Sequence, residues 1–366
     1  MQQRILRRRF LFASVSIAAT GLLAACSSAA PQVPTAAPQP PTAAPKPTTP
    51  PAAAAPTTAA AAAPTAAAKP TTAAPAATAP ARVATGDLND KGWPRSIEKL
   101  SMGFIPLEDQ VQQRNQLKPL VDYLNAQLGV PVDVAITTSY AALVEAQRND
   151  QIVLGYYGPL SFLFAEQRFG AVPILVDSPD GKTVGHYNSV LLAGKDSTVK
   201  TIADVKGKDF SFVDPASTSG NLFPRVMLIQ AGIDPNKDVK GRYAGNHQNS
   251  ILAVAKGQVP AGASNNLSVD AAVDQGQIQR TDLVVLQTSP DIPNGPFAVS
   301  PKLDPRATDK LVKSMTGFTD AATLKAMQLV GPLIPVKTGE YDFVRQAAKT
   351  INLQFDEKGN PKPIGE

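Results

Sequence analysis

The chain has one cysteine, Cys26, and two histidines, His186 and His247, among 366 residues. A single cysteine excludes any disulfide within the chain. Two histidines leave little for a His-based metal centre. No His-Glu-x-x-His or Gly-x-Ser-x-Gly pattern occurs, and no cysteine is available as a nucleophile beyond residue 26. No repeat of fixed period is evident, and no apolar run beyond the first 25 residues is long enough to span a bilayer.

What the chain does have begins with a basic, then apolar, N-terminus. Arg4, Arg7, Arg8 and Arg9 precede the apolar run from Phe10 to Leu23. That run is too short for a spanning helix and reads as an export signal over residues 1–25. It ends in Leu23-Ala24-Ala25-Cys26, which resembles the bacterial lipobox. The resemblance implies cleavage before Cys26 and lipid attachment to its thiol. Arg7-Arg8-Arg9-Phe10-Leu11 also resembles a twin-arginine signal, and the Sec route stays open beside it. The formal charge of +5 owes four arginines to this leader; the remainder carries 31 basic and 30 acidic residues. With no basic patch interleaved with aromatics, nucleic-acid binding is not expected.

Residues 26–85 hold the lipidated cysteine followed by a stretch that is almost entirely Ala, Pro, Thr and Ser. Such a stretch cannot bury enough apolar surface to offset chain entropy, and its prolines favour extended conformations. A disordered, semi-stiff tether is expected, holding residues 86–366 away from a membrane. From about Ser96 the composition becomes globular and strand-like and helix-like segments alternate, which argues for an α/β fold in two lobes. The first lobe is expected over about 98–193 and 297–366, the second over about 194–296. Leu100 to Pro106 reads as a first strand, and Asp109 to Leu128 as an amphipathic helix with Leu117, Leu120, Leu124 and Leu128 on one face. Helices are expected over 162–169, 221–232 and 251–256. Phe297 to Ser300 is expected to return to the first lobe.

The most informative stretch is Asp214-Pro215-Ala216-Ser217-Thr218-Ser219-Gly220. It follows the strand-like Phe210 to Val213 and precedes a helical pattern. Three hydroxyl residues therefore stand where a strand ends and a helix begins. The first N–H groups of a helix lack internal partners and the dipole favours negative charge there, so the junction suits an anion. The plainer reading makes Ser217 an N-cap. Gly220 is expected to let the backbone approach a ligand.

With Ile202-Ala-Asp-Val-Lys-Gly207, Ser139-Tyr140-Ala141, Tyr157-Gly158-Pro159-Leu160-Ser161, Tyr187-Asn188-Ser189-Val190 and His247 at a helix start, the chain resembles the phosphonate/phosphite/phosphate-binding proteins of ABC importers. The resemblance covers roughly residues 98–350. It implies a two-lobed periplasmic binding protein fold of type II, a monomer tethered outside the cytoplasm, and delivery of a small phosphorus oxyanion to a permease and its ATPase. Ser217, Thr218, Ser219 and His247 would hold the oxyanion, with Tyr140 and Tyr187 closing from the first lobe. Tyr157 reads either as pocket wall or as core, Tyr140 and Tyr187 also suit a core, and His186 reads as a surface residue. A sensor domain presenting the same pocket to a membrane receptor is the alternative. An exported hydrolase would need Ser217 and His247 as nucleophile and base, but no third orienting group is identifiable. No catalytic residue and no cofactor are expected.

One departure from the family is informative. Members that take aminoalkylphosphonates place carboxylates in the second lobe to meet the ligand's ammonium. By hand alignment those positions fall on Leu267 and Gly295. Burying an ammonium without a partner is costly. Phosphite, methylphosphonate or phosphate is therefore expected as ligand, unless the alignment shifts so that Asp270 or Asp291 meets an amine.

Overall fold

The structure is a computed structural model, and residues 87–355 and 361–362 are described. The expected export signal, Cys26 and the tether lie outside the described residues. The packed body starts earlier than the composition change at Ser96. Trp93 is fully buried and its indole Nε1 donates to Ile97 O at 2.8 Å.

The first lobe opens with β1 (Leu100–Phe104), α1 (Gln110–Leu128), β2 (Val132–Ile136), α2 (Tyr140–Arg148), β3 (Leu154–Tyr156), α3 (Pro159–Phe169) and β4 (Val172–Asp177). Asp109 caps α1, its Oδ1 accepting from Val111 N and Gln112 N at 3.0 Å each. Gly129 ends it with φ 67°, a conformation in which glycine has no Cβ to clash. Leu117, Leu120, Leu124 and Leu128 form the buried stripe of α1, as the spacing predicts. Helix α3 begins at Pro159 rather than Phe162, because proline is preset for the first turn and gives up an N–H that has no intrahelical partner there.

The chain then leaves through β5 (His186–Tyr187) and builds a second lobe. This contains β6 (Ser189–Gly194), β7 (Asp209–Phe212), α4 (Phe223–Gln230), β8 (Lys240–Tyr243), α5 (His247–Ala255), β9 (Ala261–Asn265), α6 (Asn266–Asp274) and β10 (Leu283–Thr288). It returns through β11 (Ile292–Pro293) to β12 (Phe297–Val299), α7 (Pro305–Thr316), α8 (Ala321–Ala326), β13 (Leu333–Pro335) and α9 (Asp342–Thr350). The first sheet has six strands in the order β13-β4-β12-β3-β1-β2, and the second has five in the order β10-β6-β9-β7-β8.

Strand β6 corrects the expected lobe boundary. It pairs with β9 and β10 in the second sheet, so the crossing falls at residues 186–188 and not after 193. Its two faces explain its all-apolar run. Val190 and Leu192 pack among Ile251, Val254 and Val269, while Leu191 and Ala193 pack among Phe210, Phe212 and Met227. A strand covered on both faces loses the polar alternation of an exposed one. The two crossings pair with each other: Tyr187 faces Ile292 and His186 faces Pro293 in an antiparallel ribbon of two residues a side.

Candidate functional site

The site lies where the two lobes meet. Strand β7 runs into Asp214, whose buried carboxylate shapes the following bend. Its Oδ1 accepts from Ala216 N at 2.8 Å and its Oδ2 from Tyr140 N, in the first lobe, at 3.3 Å. Burial pushes the Asp214 carboxyl up from its ordinary range. Ser217 then caps a widened, π-helical turn over Thr218–Leu222, its Oγ accepting from Gly220 N at 3.0 Å. The N-cap reading and the anion-site reading of Ser217 are thus compatible. The oxygen's lone pair serves the cap and its O–H remains a donor.

Thr218 and Ser219 open that turn, where backbone N–H groups have no intrahelical acceptor. π-turns of this kind recur at functional positions. The Thr218 hydroxyl oxygen accepts from Leu160 N, at the start of α3 across the cleft, at 2.8 Å. The role expected of Gly220 needs correction. A Cβ there would lie 2.2 Å from Val213 Cβ and 2.9 Å from Ser217 Oγ. The residue is small so that the turn can fold back on the end of β7, where Gly220 O also accepts from Val213 N.

His247 is the first residue of α5, behind an Asn246 cap that accepts from Asn249 N at 2.7 Å. The helix therefore begins four residues before Ile251. The imidazole is 2% exposed, and its Nδ1 lies 3.0 Å from Ser264 Oγ. Burial pushes its pKa down to about 3, so the ring is neutral. A neutral imidazole holds one proton. If Ser264 donates to Nδ1, that proton sits on Nε2, the nitrogen left to serve the cavity.

Ser217, Thr218, Ser219, His247, Tyr140 and Tyr187 all line one cavity of about 50 Å³. A water needs roughly 10–15 Å³ of such space, so the cavity holds about as many atoms as one small tetrahedral group. No lysine, arginine, aspartate or glutamate is among its lining residues. The Tyr140 hydroxyl is wholly buried and has no hydrogen-bond partner among the described residues. Burial, and then the nearby Asp214 carboxylate, hold its pKa well above the ordinary phenol value. The Tyr187 hydroxyl is pushed up to about 12 by burial, partly offset by the Ser219 and Thr218 hydroxyls beside it. Both phenols are therefore protonated donors at any ordinary pH.

Tyr157 is placed differently. It lines the cavity, but its hydroxyl donates to Gln147 Oε1 at 2.7 Å, and Gln147 Nε2 donates onward to Ala298 O at 2.9 Å. Its phenol belongs to the first-lobe core. Tyr156, not singled out from the sequence, lines the cavity instead, its ring held against Phe297 and Phe104 at 4.8 and 5.7 Å between centroids. Asn265, Asn294 and Gln328 were also missed. Asn265 ends β9, and ligand sites in α/β sheets lie at strand ends, which was the available signal for it; Asn294 follows the two-residue β11 and Gln328 lies two residues past α8, where no such signal exists.

Leu267 and Gly295 both line the cavity. Asp270 and Asp291 do not: Asp270 is exposed and pairs with Arg280, and Asp291 is exposed and accepts from Asn188 Nδ2 at 2.9 Å. Gly295 is fixed by packing. A Cβ there would stand 1.8 Å from Tyr157 O.

Several bonds cross the cleft. Asp109 N donates to Gln248 Oε1 at 2.9 Å, Gln275 Nε2 to Glu108 Oε2 at 3.0 Å, and Ser268 Oγ to Gln328 Oε1 at 2.7 Å. Lys325 and Asp274 pair across it at 2.9 Å. The lobes are closed on one another.

A family model described as the periplasmic substrate-binding protein of phosphonate ABC transporters matches residues 102–341. The chain is 28% identical over 280 residues to the phosphate-import protein PhnD of Mycolicibacterium smegmatis, covering 70% of this chain and 85% of that one. It is 30% identical over 233 residues to the phosphonates-binding periplasmic protein of Escherichia coli, covering 62% and 68%. The structure of PhnD1 from Prochlorococcus marinus in complex with methylphosphonate matches with a TM-score of 0.62 at 22% identity, covering 70% of this chain and 98% of that one.

Proposed function

Because the chain belongs to the family of periplasmic substrate-binding proteins of phosphonate ABC transporters, we propose that it captures a small phosphorus oxyanion, phosphite, methylphosphonate or phosphate, and presents it to a permease driven by an ATPase. The observation that carries this reading is the small cavity between the lobes, lined by neutral donors. Ser217 and Ser219 O–H, the opening N–H groups of the Thr218–Leu222 turn, His247 Nε2–H and the Tyr140 and Tyr187 hydroxyls would converge on one tetrahedral group. The oxyanion's several acceptor oxygens match these donors without a lysine or arginine. Hydrogen bonds to a charged group are worth about 1.5–3 kcal/mol each, so four or five give micromolar binding or better after association costs.

Leu267 and Gly295 at the cavity wall leave an ammonium without a carboxylate partner, which favours ligands lacking an amine. Ligand contacts to both lobes stabilise the closed form, and reopening releases the ligand to the permease. The lipid on Cys26 and the Ala/Pro-rich tether keep the domain near that permease and raise its effective concentration.

Titration calorimetry of the phosphate-free protein with phosphite, phosphate, methylphosphonate and 2-aminoethylphosphonate tests this. Binding of an amine-free ligand that Ser217→Ala and His247→Ala each weaken is the expected result. Tight binding of the aminoalkyl compound alone would overturn the ligand class, and binding of none would overturn the oxyanion reading.

A further inference from the structure

Every donor in the cavity calls for an acceptor on the ligand. One lining side chain calls for the opposite. Asn294 follows β11, is 3% exposed and lines the cavity. Its Nδ2 donates to the buried Asp177 Oδ2 at 2.7 Å. The same oxygen also accepts from Val330 N at 2.6 Å. Two donors converging on this oxygen fix the amide's orientation: Nδ2 faces Asp177, and Oδ1 is the atom the side chain has left to offer. The backbone of Asn294 is held as well, its N donating to Gly185 O at 2.8 Å and its O accepting from Tyr341 Oη at 3.1 Å. Yet Asn294 Oδ1 is buried and has no hydrogen-bond partner among the described residues. A buried acceptor left unpaired is costly, and a ligand that brings a donor removes the cost.

We propose that Asn294 is a specificity-determining residue whose Oδ1 accepts from an acidic P–OH, so that the site takes a singly protonated phosphorus oxyanion and rejects sulfate and sulfonates. The inference rests on the oxyanion reading above and sharpens its substrate class. Sulfate and sulfonates have the same tetrahedral shape and offer the same acceptor oxygens, but near neutral pH they carry no proton to donate. Asp177 acts as the positioning residue. It would hold the amide so that the carbonyl, and not the NH2, meets the ligand. Sites built to pair a ligand O–H reject analogues lacking it far more strongly than apolar pockets reject a missing methylene.

The test is titration calorimetry of the purified full chain with methylphosphonate and methanesulfonate, below and above the second ionisation of the phosphonate. Below that ionisation both ligands are tetrahedral monoanions, and the phosphonate alone carries a proton. The titratable groups around Asn294 and the cavity are Asp177 on β4, Tyr140 on α2, Tyr156 on β3 with Tyr157 after it, His186 and Tyr187 on β5, Tyr341 before α9 and His247 on α5, and both ligands meet the same set. The change of the affinity ratio with pH, rather than its size, therefore reports the ligand's own proton. Methanesulfonate is expected to bind on the order of 100-fold more weakly. The ratio should shrink by about tenfold per pH unit above the phosphonate's second ionisation. Asn294→Leu should narrow the methylphosphonate-to-methanesulfonate affinity ratio and flatten its dependence on pH. If that variant does not fold, the pH dependence of the wild-type ratio decides alone. Equal affinities, or a ratio constant with pH, would overturn the proposal; Asn294 Oδ1 would then be satisfied within the protein, by a proton on the neighbouring Asp177 oxygen. Binding of no phosphorus oxyanion at all would instead overturn the oxyanion reading, and this one with it.

Discussion

The hydroxyl of Ser264 sits 3.0 Å from Nδ1 of His247, and both side chains are buried. Burial alone sets the ring's charge. In the unfolded chain the ring titrates near 6.5; in the folded protein it does so near 3. The unfolded state therefore binds more protons between those values. The contribution of His247 to stability is complete above about pH 6.5 and is lost as the pH falls towards 3. Chemical denaturation of His247→Gln across that window should show a flatter acid limb than the wild type. An unchanged limb would mean that the ring is not buried neutral.

Tyr140→Phe separates binding from folding. The hydroxyl is buried and unpaired, so its removal leaves no orphaned partner in the protein. Thermal stability should hold or rise slightly, while affinity for phosphite or methylphosphonate falls by about 1–3 kcal/mol, the cost of one unmade bond to a charged group. A fall in stability with intact affinity would place the phenol in the core.

Tyr157→Phe should behave in the opposite way. The change deprives Gln147 Oε1 of its 2.7 Å donor inside the first lobe. A loss of about 1–3 kcal/mol in unfolding free energy is expected from the orphaned buried acceptor. Ligand affinity should stay within about twofold, because a structural change away from the ligand alters stability and not recognition. Calorimetric and denaturant titrations on the same sample check both halves.

A carboxylate cannot be installed at position 295. Even Gly295→Ala puts a Cβ against Tyr157 O. The variant should lose several kcal/mol or fail to fold, since the obstacle is backbone. Leu267→Glu has no such obstacle and stands at the half-buried rim of the cavity. It should raise the relative affinity for 2-aminoethylphosphonate over methylphosphonate, measured by competition. No change in that preference would mean that the ligand's substituent points elsewhere.

What the sequence made legible follows from the range of each signal. The stripe of α1, the cap Ser217 and the hydroxyl-rich junction after β7 are local patterns, and the structure places them where the periodicity and cap chemistry indicate. Leu267 and Gly295 came from alignment to the family, and both reach the cavity wall. The failures were non-local. Strands β5 and β11 are two residues each and exist only because they pair across a gap of about a hundred residues, which leaves no periodicity to read. Strand β6 was assigned to the wrong lobe for the same reason. Gly220 and Gly295 announce a need for small size, but only the packing shows that Val213 and Tyr157 O impose it. Asn294 carries no signal in sequence, because its meaning depends on which amide end Asp177 occupies.

The cavity has no fixed charge of either sign along its wall. An anion held by lysines or arginines is held partly by long-range attraction, which dissolved salt weakens. Hydroxyls and ring N–H groups act mainly at contact, where dissolved salt weakens them less. The same wall offers no distant pull to draw an anion in, so capture depends on chance encounter and retention on closure. For the oxyanion proposed above, this predicts an affinity that changes little with ionic strength.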